Sequence, residues 1–187
     1  MRTAFKEWAS VCGALADGKQ IIVFRKGGIA EESGKFQIDH PSFFLFPTNF
    51  HQSADQLAPA GLPYLKAAQQ AQPEEYSITI SHAVEIASAF EVTSSSTVAA
   101  LRDDHIWSDK VIEERLHRWQ DNMIFALLFR VYRLTSPVSL PILDAYGGCK
   151  SWIELAEDLP FSPTDPVLSD DHFAEKHDRI QQLLQTS

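Results

Sequence analysis

Cysteine is scarce in this 187-residue chain: only Cys12 and Cys149 occur. Two thiols cannot build a disulfide framework or a cysteine-based zinc site, and both are expected to be reduced. Long apolar runs are missing as well. The longest uncharged one, Met123 to Phe129, falls far short of the roughly 18 to 20 residues a bilayer-spanning helix needs, and the first residues lack a signal-peptide apolar core. A cytoplasmic protein of one domain is the expectation. Positive charge is also in short supply, with 16 Lys and Arg against 25 Asp and Glu, which argues against a wholly basic nucleic-acid-coating protein. The deficit is local. Residues 1–55 carry 6 of each sign and 101–133 again 6 of each, whereas 134–187 hold 3 basic against 9 acidic residues. The two balanced blocks can still present a basic patch. Motifs for a serine elbow, a Walker loop, a dinucleotide fingerprint or HExxH are absent too.

What is present is a globular composition, 44% hydrophobic and 22% charged. Phe5, Trp8, Ala9, Cys12, Leu15 and Ala16 recur at three- and four-residue spacing, which predicts a helix over 4–17 with Thr3 as its cap and Gly18 closing it. Gln20 to Lys26, Lys35 to Ile38 and Phe43 to Phe46 read as short strands, with a turn at Gly27-Gly28. The segment 54–72 reads as a surface connection with a short helix over Tyr64 to Gln70. The clearest signal follows: Tyr76, Ile78, Ile80, His82, Val84, Ile86, Ser88, Phe90 and Val92 hold successive even positions, which is strand periodicity. At roughly 56 Å if straight, that stretch must bend, bulge or split. Ser94–Ser96 and Ser108 read as caps of two helices, the second burying Val111, Ile112, Leu116 and Trp119. Met123 to Leu134 reads as a central strand, Pro137 and Pro141 as breaks after it, and Lys150 to Ala156 as one or two helical turns. A Pro-rich linker leads to a last helix over Asp170 to Gln185, capped by Ser169 and striped by Phe173, Ile180, Leu183 and Leu184. The expected class is α+β, with a mainly antiparallel, barrel-like sheet and N-terminal, central and C-terminal helices. The division is a domain over 1–158 and a linker plus acidic helix over 159–187.

Several stretches carry a family resemblance. They are Phe5-Lys6-Glu7-Trp8, Arg25-Lys26-Gly27-Gly28-Ile29, the run Phe43 to Gln52, His105-Ile106-Trp107-Ser108, Arg130-Val131-Tyr132-Arg133-Leu134, and Tyr146 to Trp152. Together they resemble the bacterial family known as domain of unknown function 1802, over roughly residues 4 to 156. The resemblance implies membership and brings no activity with it.

The residues themselves suggest chemistry. Arg25 and Lys26 beside a glycine pair offer two cations and main-chain N–H groups, as an anion such as phosphate requires, although the same residues also suit a solvated hairpin end. Trp107, Arg115 and Arg118 add an aromatic ring and further cations, and Glu114 with Arg118 has the spacing of a surface ion pair. Arg130 and Arg133 interrupt an apolar strand on opposite faces, so each needs a carboxylate, an edge or a cleft. Thr48 can cap a turn as readily as bind a substrate. His105 has the chemistry of a general acid or base, Cys149 that of a packed thiol or a nucleophile, and His82 that of a core histidine. His40 and His51, with Glu31 or Asp39, have the chemistry to hold a divalent metal without a recognised spacing.

Three functions follow. The first is a nucleic-acid or nucleotide binding module in which Arg25, Lys26, Thr48, Trp107, Arg115, Arg118 and Arg130 line a cleft. The second is a metal-dependent phosphodiester hydrolase using Glu31, His40 and His51 with His105. The third is an interaction domain whose acidic tail meets a protein partner.

Overall fold

The computed structural model describes residues 1–26, 40–71, 76–118, 122–148 and 150–185. Gly27-Gly28, Glu31, the strand expected over Lys35 to Ile38, Asp39, Trp119 and Cys149 lie outside the described residues. Six strands form one curled, mostly antiparallel sheet, and helices pack against it, so the class is α+β with a half-barrel sheet. The strands are β1 (Thr3–Trp8), β2 (Ile22–Arg25), β3 (Ser42–Thr48), β4 (Ser77–Val92), β5 (Ile124–Pro141) and β6 (Trp152–Glu154), in the order β2-β5-β4-β3-β1-β6. The helices are α1 (Ala9–Ala16), α2 (Leu62–Gln70), α3 (Ser95–Ala100), α4 (Asp109–Leu116) and α5 (Asp170–Gln185). None of them is long and apolar enough to cross a membrane.

The expected helix over 4–17 is in fact a strand followed by a helix. Thr3 caps nothing; β1 pairs in parallel with β3 from Ala4↔Phe44 to Trp8↔Thr48, and antiparallel with β6. The reason is that both faces of β1 are buried. Ala4 lies in a cluster with Phe44, Phe46, Ile80 and Ile153, while Phe5 lies in the main core with Phe43, Val84 and Phe129. A helix presents a single apolar stripe and cannot serve two cores, so tertiary burial overrides the three- and four-residue spacing. Helix geometry begins only at Ala9 and ends at Gly18, whose φ of 66° is the left-handed conformation that glycine adopts at little cost.

β4 spans 16 residues and remains one strand by bulging twice, between Ile80 and His82 and between Ile86 and Ser88. The first bulge turns the strand over. Ile80 and Ala83 face one cluster and Val84 the other, which a regular period of two would forbid. β5 likewise runs through Pro137 to Pro141, where a break was expected. Its register with β4 jumps from Arg133 opposite His82 to Val138 opposite Ile80, so Pro137 falls in the interrupted ladder, where its missing N–H costs no sheet hydrogen bond. Residues 152–154, expected to be helical, form β6, because their register against Thr3 to Phe5 puts Ile153 in the second cluster and Trp152 4.8 Å from the Phe5 ring.

The helix caps follow the sequence. Ser94 Oγ accepts from the Ser96 N–H, and Ser108 Oγ from the Val111 N–H, each taking up a donor that the first turn leaves free. α5 starts at Ser169, whose Oγ accepts from the His172 N–H, and it buries Ile180 and Leu184 in the main core. The Pro-rich stretch before it lies along the sheet. Leu159 is buried in the second cluster, and Pro166 bridges Tyr132 of β5.

Candidate functional site

The C-terminal ends of β1 and β2 meet α4, and polar groups collect there. Phe5 and Glu7 alternate onto the same face of β1, so Glu7 enters the main core edge with only 4% of its surface exposed. Its Oε1 accepts the Trp8 N–H at 2.8 Å. Arg25, at the end of β2, lies with its guanidinium 4.1 Å from the Phe5 ring centre, donates to the Lys6 carbonyl at 2.6 Å and faces Glu7 Oε2 at 3.1 Å. That last approach is an ion contact outside hydrogen-bonding geometry, so Glu7 Oε2 and Arg25 Nε both lack a hydrogen-bond partner among the described residues.

Arg115 of α4 brings a second guanidinium to the same place. It donates to the Phe24 carbonyl at 3.1 Å and sits 4.9 Å from the Trp107 ring and 5.5 Å from the Trp8 ring. The residue as a whole is half-buried, and burial of its charge pulls its pKa down to about 10, with Glu7 opposing the shift and Arg25 adding to it. It stays cationic at neutral pH. One guanidinium thus pairs with the carboxylate while the second stands nearby within range of its charge, which leaves a net positive charge at Arg115, close to two indoles. Burial, and then Glu7, raises the Cys12 thiol well above its ordinary value, which keeps it an inert neutral group beside the cluster.

The rim comes from the β3 end. Thr48 Oγ1 donates to the Glu7 carbonyl at 3.3 Å, and Gln52 Oε1 accepts the Ser10 N–H in the first turn of α1 at 3.1 Å. Ser10 Oγ is itself fully buried without a partner among the described residues. Phe50, in the turn between Thr48 and Gln52, is 78% exposed. The stretches Phe5 to Trp8, Arg25-Lys26, Phe43 to Gln52 and His105 to Ser108 thus converge around Arg115.

Residues 4–179 match the profile of the family described as Domain of unknown function (DUF1802). The chain belongs to the DUF1802 family. The match runs through most of α5, past residue 156, where the sequence motifs ended. No curated protein matches the DUF1802 chain. Among solved structures, the ASCH protein of Zymomonas mobilis is similar at 11% identity over 95% of this chain and 93% of that one, with a TM-score of 0.47. Two single-residue variants of the same Zymomonas mobilis protein match at 10% and 12% identity, covering 97% and 83% of this chain and 94% and 90% of theirs, with TM-scores of 0.47 and 0.46.

The other expected site residues of the DUF1802 chain distribute as follows. Lys26 turns inward, its Nζ donating to the Leu116 and Met123 carbonyls at 3.0 and 2.9 Å, so it closes the C-terminal end of α4. Arg118 is exposed just beyond α4, and Glu114 pairs with Lys110 at 3.9 Å. Trp107 is 1% exposed, with its Nε1 unpartnered among the described residues. His105 is buried between Phe24 and Trp107, with neither ring nitrogen hydrogen-bonded among the described residues, and desolvation lowers its pKa to about 4, so at neutral pH it is an uncharged core ring.

Arg130 does not join the cluster. Arg25 stands opposite Phe125 on β5, five positions from Arg130, a separation of about 16 Å along the strand. Arg130 is held by α5 instead, 2.5 Å from Asp170 Oδ1 and 4.6 Å from the Phe173 ring. Arg133 points elsewhere, to Asp165 and the Pro166 carbonyl. His82 is half-buried, bonds Ser81 Oγ at 2.9 Å, and has its pKa lowered by burial and by Arg133. His40 packs on Trp152 at 5.0 Å between ring centres, while His51 sits in an exposed turn with φ of 63°. Among the described residues no three His, Cys, Asp or Glu side chains are grouped to hold a metal. Glu7, which anchors the whole cluster, escapes the sequence reading. A lone carboxylate inside a strand that is otherwise buried is the signal that identifies it.

Proposed function

We propose that this DUF1802 chain is a binding module for nucleic acid or nucleotides, and that its ligand meets the Arg25–Arg115–Trp8 cluster. One observation supports this most: Arg25, paired with a buried carboxylate, and Arg115, within range of the same charge, both lie against aromatic rings, one of which, Trp8, remains partly exposed. Excess positive charge attracts phosphate, and flat rings accept bases. Arg118, exposed just beyond α4, and Phe50, exposed in the turn after β3, add a further cation and a further ring of suitable chemistry.

Binding to labelled single- and double-stranded DNA and RNA, titrated at several salt concentrations, tests the reading. Arg25→Ala and Lys26→Ala are poor probes, since Arg25 neutralises a buried carboxylate and Lys26 closes a helix. Arg118→Ala is expected to lower the salt slope by about one, and Trp8→Ala to weaken binding by about 1–3 kcal/mol. Absence of salt-dependent binding at low ionic strength, or equal binding by both variants and the parent, refutes the assignment.

A further inference from the structure

A side chain of α5 reaches β4, and there three side chains form a hydrogen-bonded chain. Ser88 Oγ is 2.8 Å from His177 Nε2, and His177 Nδ1 is 3.1 Å from Asp178 Oδ1. The order of atoms matters. Hydroxyl to Nε2 and Nδ1 to carboxylate is the arrangement in which an oriented imidazole takes the proton of a serine attacking an acyl carbon, and it is recognised by geometry rather than by position in a sequence.

The backbone around Ser88 suits that task. The register of β4 against β5 passes from Ile86 opposite Phe129 to Ser88 opposite Leu128, so Ala87 is the extra residue of a bulge. Bulges re-aim side chains and leave a residue outside the regular ladder, which sets Ser88 apart from the alternation of the rest of the strand. His177 is 17% exposed, sheltered by Phe173 at 5.7 Å between ring centres yet reachable, and Asp178 is 70% exposed at the outer end of the chain.

We propose that Ser88 is the nucleophile of a second site, independent of the nucleic-acid reading, which hydrolyses small acyl esters with His177 as general base and Asp178 as a positioning residue. Ser88 Oγ bonds to the carbonyl carbon as its proton passes to His177 Nε2, and the carbonyl electron pair moves onto oxygen. Collapse of that intermediate breaks the ester C–O bond, and the alcohol leaves with the proton from Nε2. Water then attacks the acyl-serine, gives a proton to Nε2, and releases the carboxylic acid as Ser88 recovers its hydrogen.

The probe is p-nitrophenyl acetate with the full chain. The expected result is a burst of p-nitrophenolate and an acetyl group on the Ser88 peptide by mass spectrometry, both absent in Ser88→Ala at an unchanged unfolding temperature. Asp178→Asn, on the exposed side of α5, is expected to lower kcat at least tenfold with KM unchanged, a split that loss of packing alone does not produce. Unacylated Ser88, or hydrolysis that persists in Ser88→Ala, overturns the proposal and leaves the three residues as a fastening of α5 to the sheet.

Discussion

Replacing Arg25 with methionine isolates the electrostatics of the candidate site. The new side chain keeps much of the apolar stem over Phe5 but leaves Glu7, 4% exposed, without its nearest cation. Removing one partner of a buried pair costs about 3–5 kcal/mol, because the remaining charge stays desolvated. Here the loss falls below that range, at about 2–3 kcal/mol, since Arg25 retains 18% side-chain exposure and Arg115 still stands near Glu7. For a chain of this length that loss lowers the unfolding temperature by about 5–10 °C. Glu7→Gln added to Arg25→Met removes the stranded charge while its Oε1 still accepts the Trp8 N–H, and it is expected to recover at least half of the loss. Thermal and urea unfolding of the two single variants and the double variant, at low salt and at about 1 M, complete the cycle, and the coupling is expected to survive salt because the pair is enclosed. A loss below about 1 kcal/mol for Arg25→Met, or a double variant that costs the sum of the singles, refutes the view that Glu7 is held by charge.

Two other perturbations follow from the fold. His105, with its pKa depressed to about 4 against an unfolded value near 6.5, binds its proton more readily in the unfolded chain; stability is therefore full above about pH 6.5 and falls by up to about 3 kcal/mol as pH drops toward 4. His105→Phe should flatten that slope in unfolding measured from pH 4 to 7, and an unchanged slope would assign acid sensitivity to other groups. Gly18→Ala forces a side chain into a positive φ and brings a Cβ to 2.5 Å from Leu168 Cδ2, so calorimetry is expected to record a loss of about 1–2 kcal/mol, and a neutral result would mean the α1 C-terminus relaxes freely.

The sequence announces elements whose signal is local. The alternation from Tyr76 to Val92 specifies β4, and Ser94, Ser108 and Ser169 mark three helix starts, because periodicity and capping depend on a few adjacent residues. It misleads where burial is set by distant chain. β1 and β6 are strands because they lie against each other, and neither is legible alone, since Phe5, Trp8 and Cys12 carry a helical spacing that only the second core contradicts. The site divides along the same line. Arg25, Arg115 and Trp107 are readable as cations and an aromatic ring of suitable chemistry, but the pairing of Arg25 with Glu7 and the packing of Arg115 on Trp107 depend on contacts between distant segments that no short-range pattern encodes. Arg130 was grouped with them because sequence carries no distance across a sheet. Ser88 and His177 lie 89 positions apart, with no motif around either.

The pairing of β1 with β6 also sets a timetable for synthesis. Phe5 leaves the ribosome before its outer partner Trp152, which follows about 150 residues later, an interval of about 10–30 s at ordinary elongation rates. β3 can shield one side of β1 well before that, but the other side remains an open row of amides and carbonyls throughout. During that interval a nascent chain is most exposed to pairing with its neighbours on a polysome, and slowed translation beyond residue 48 would lengthen the hazard without changing the folded protein at all.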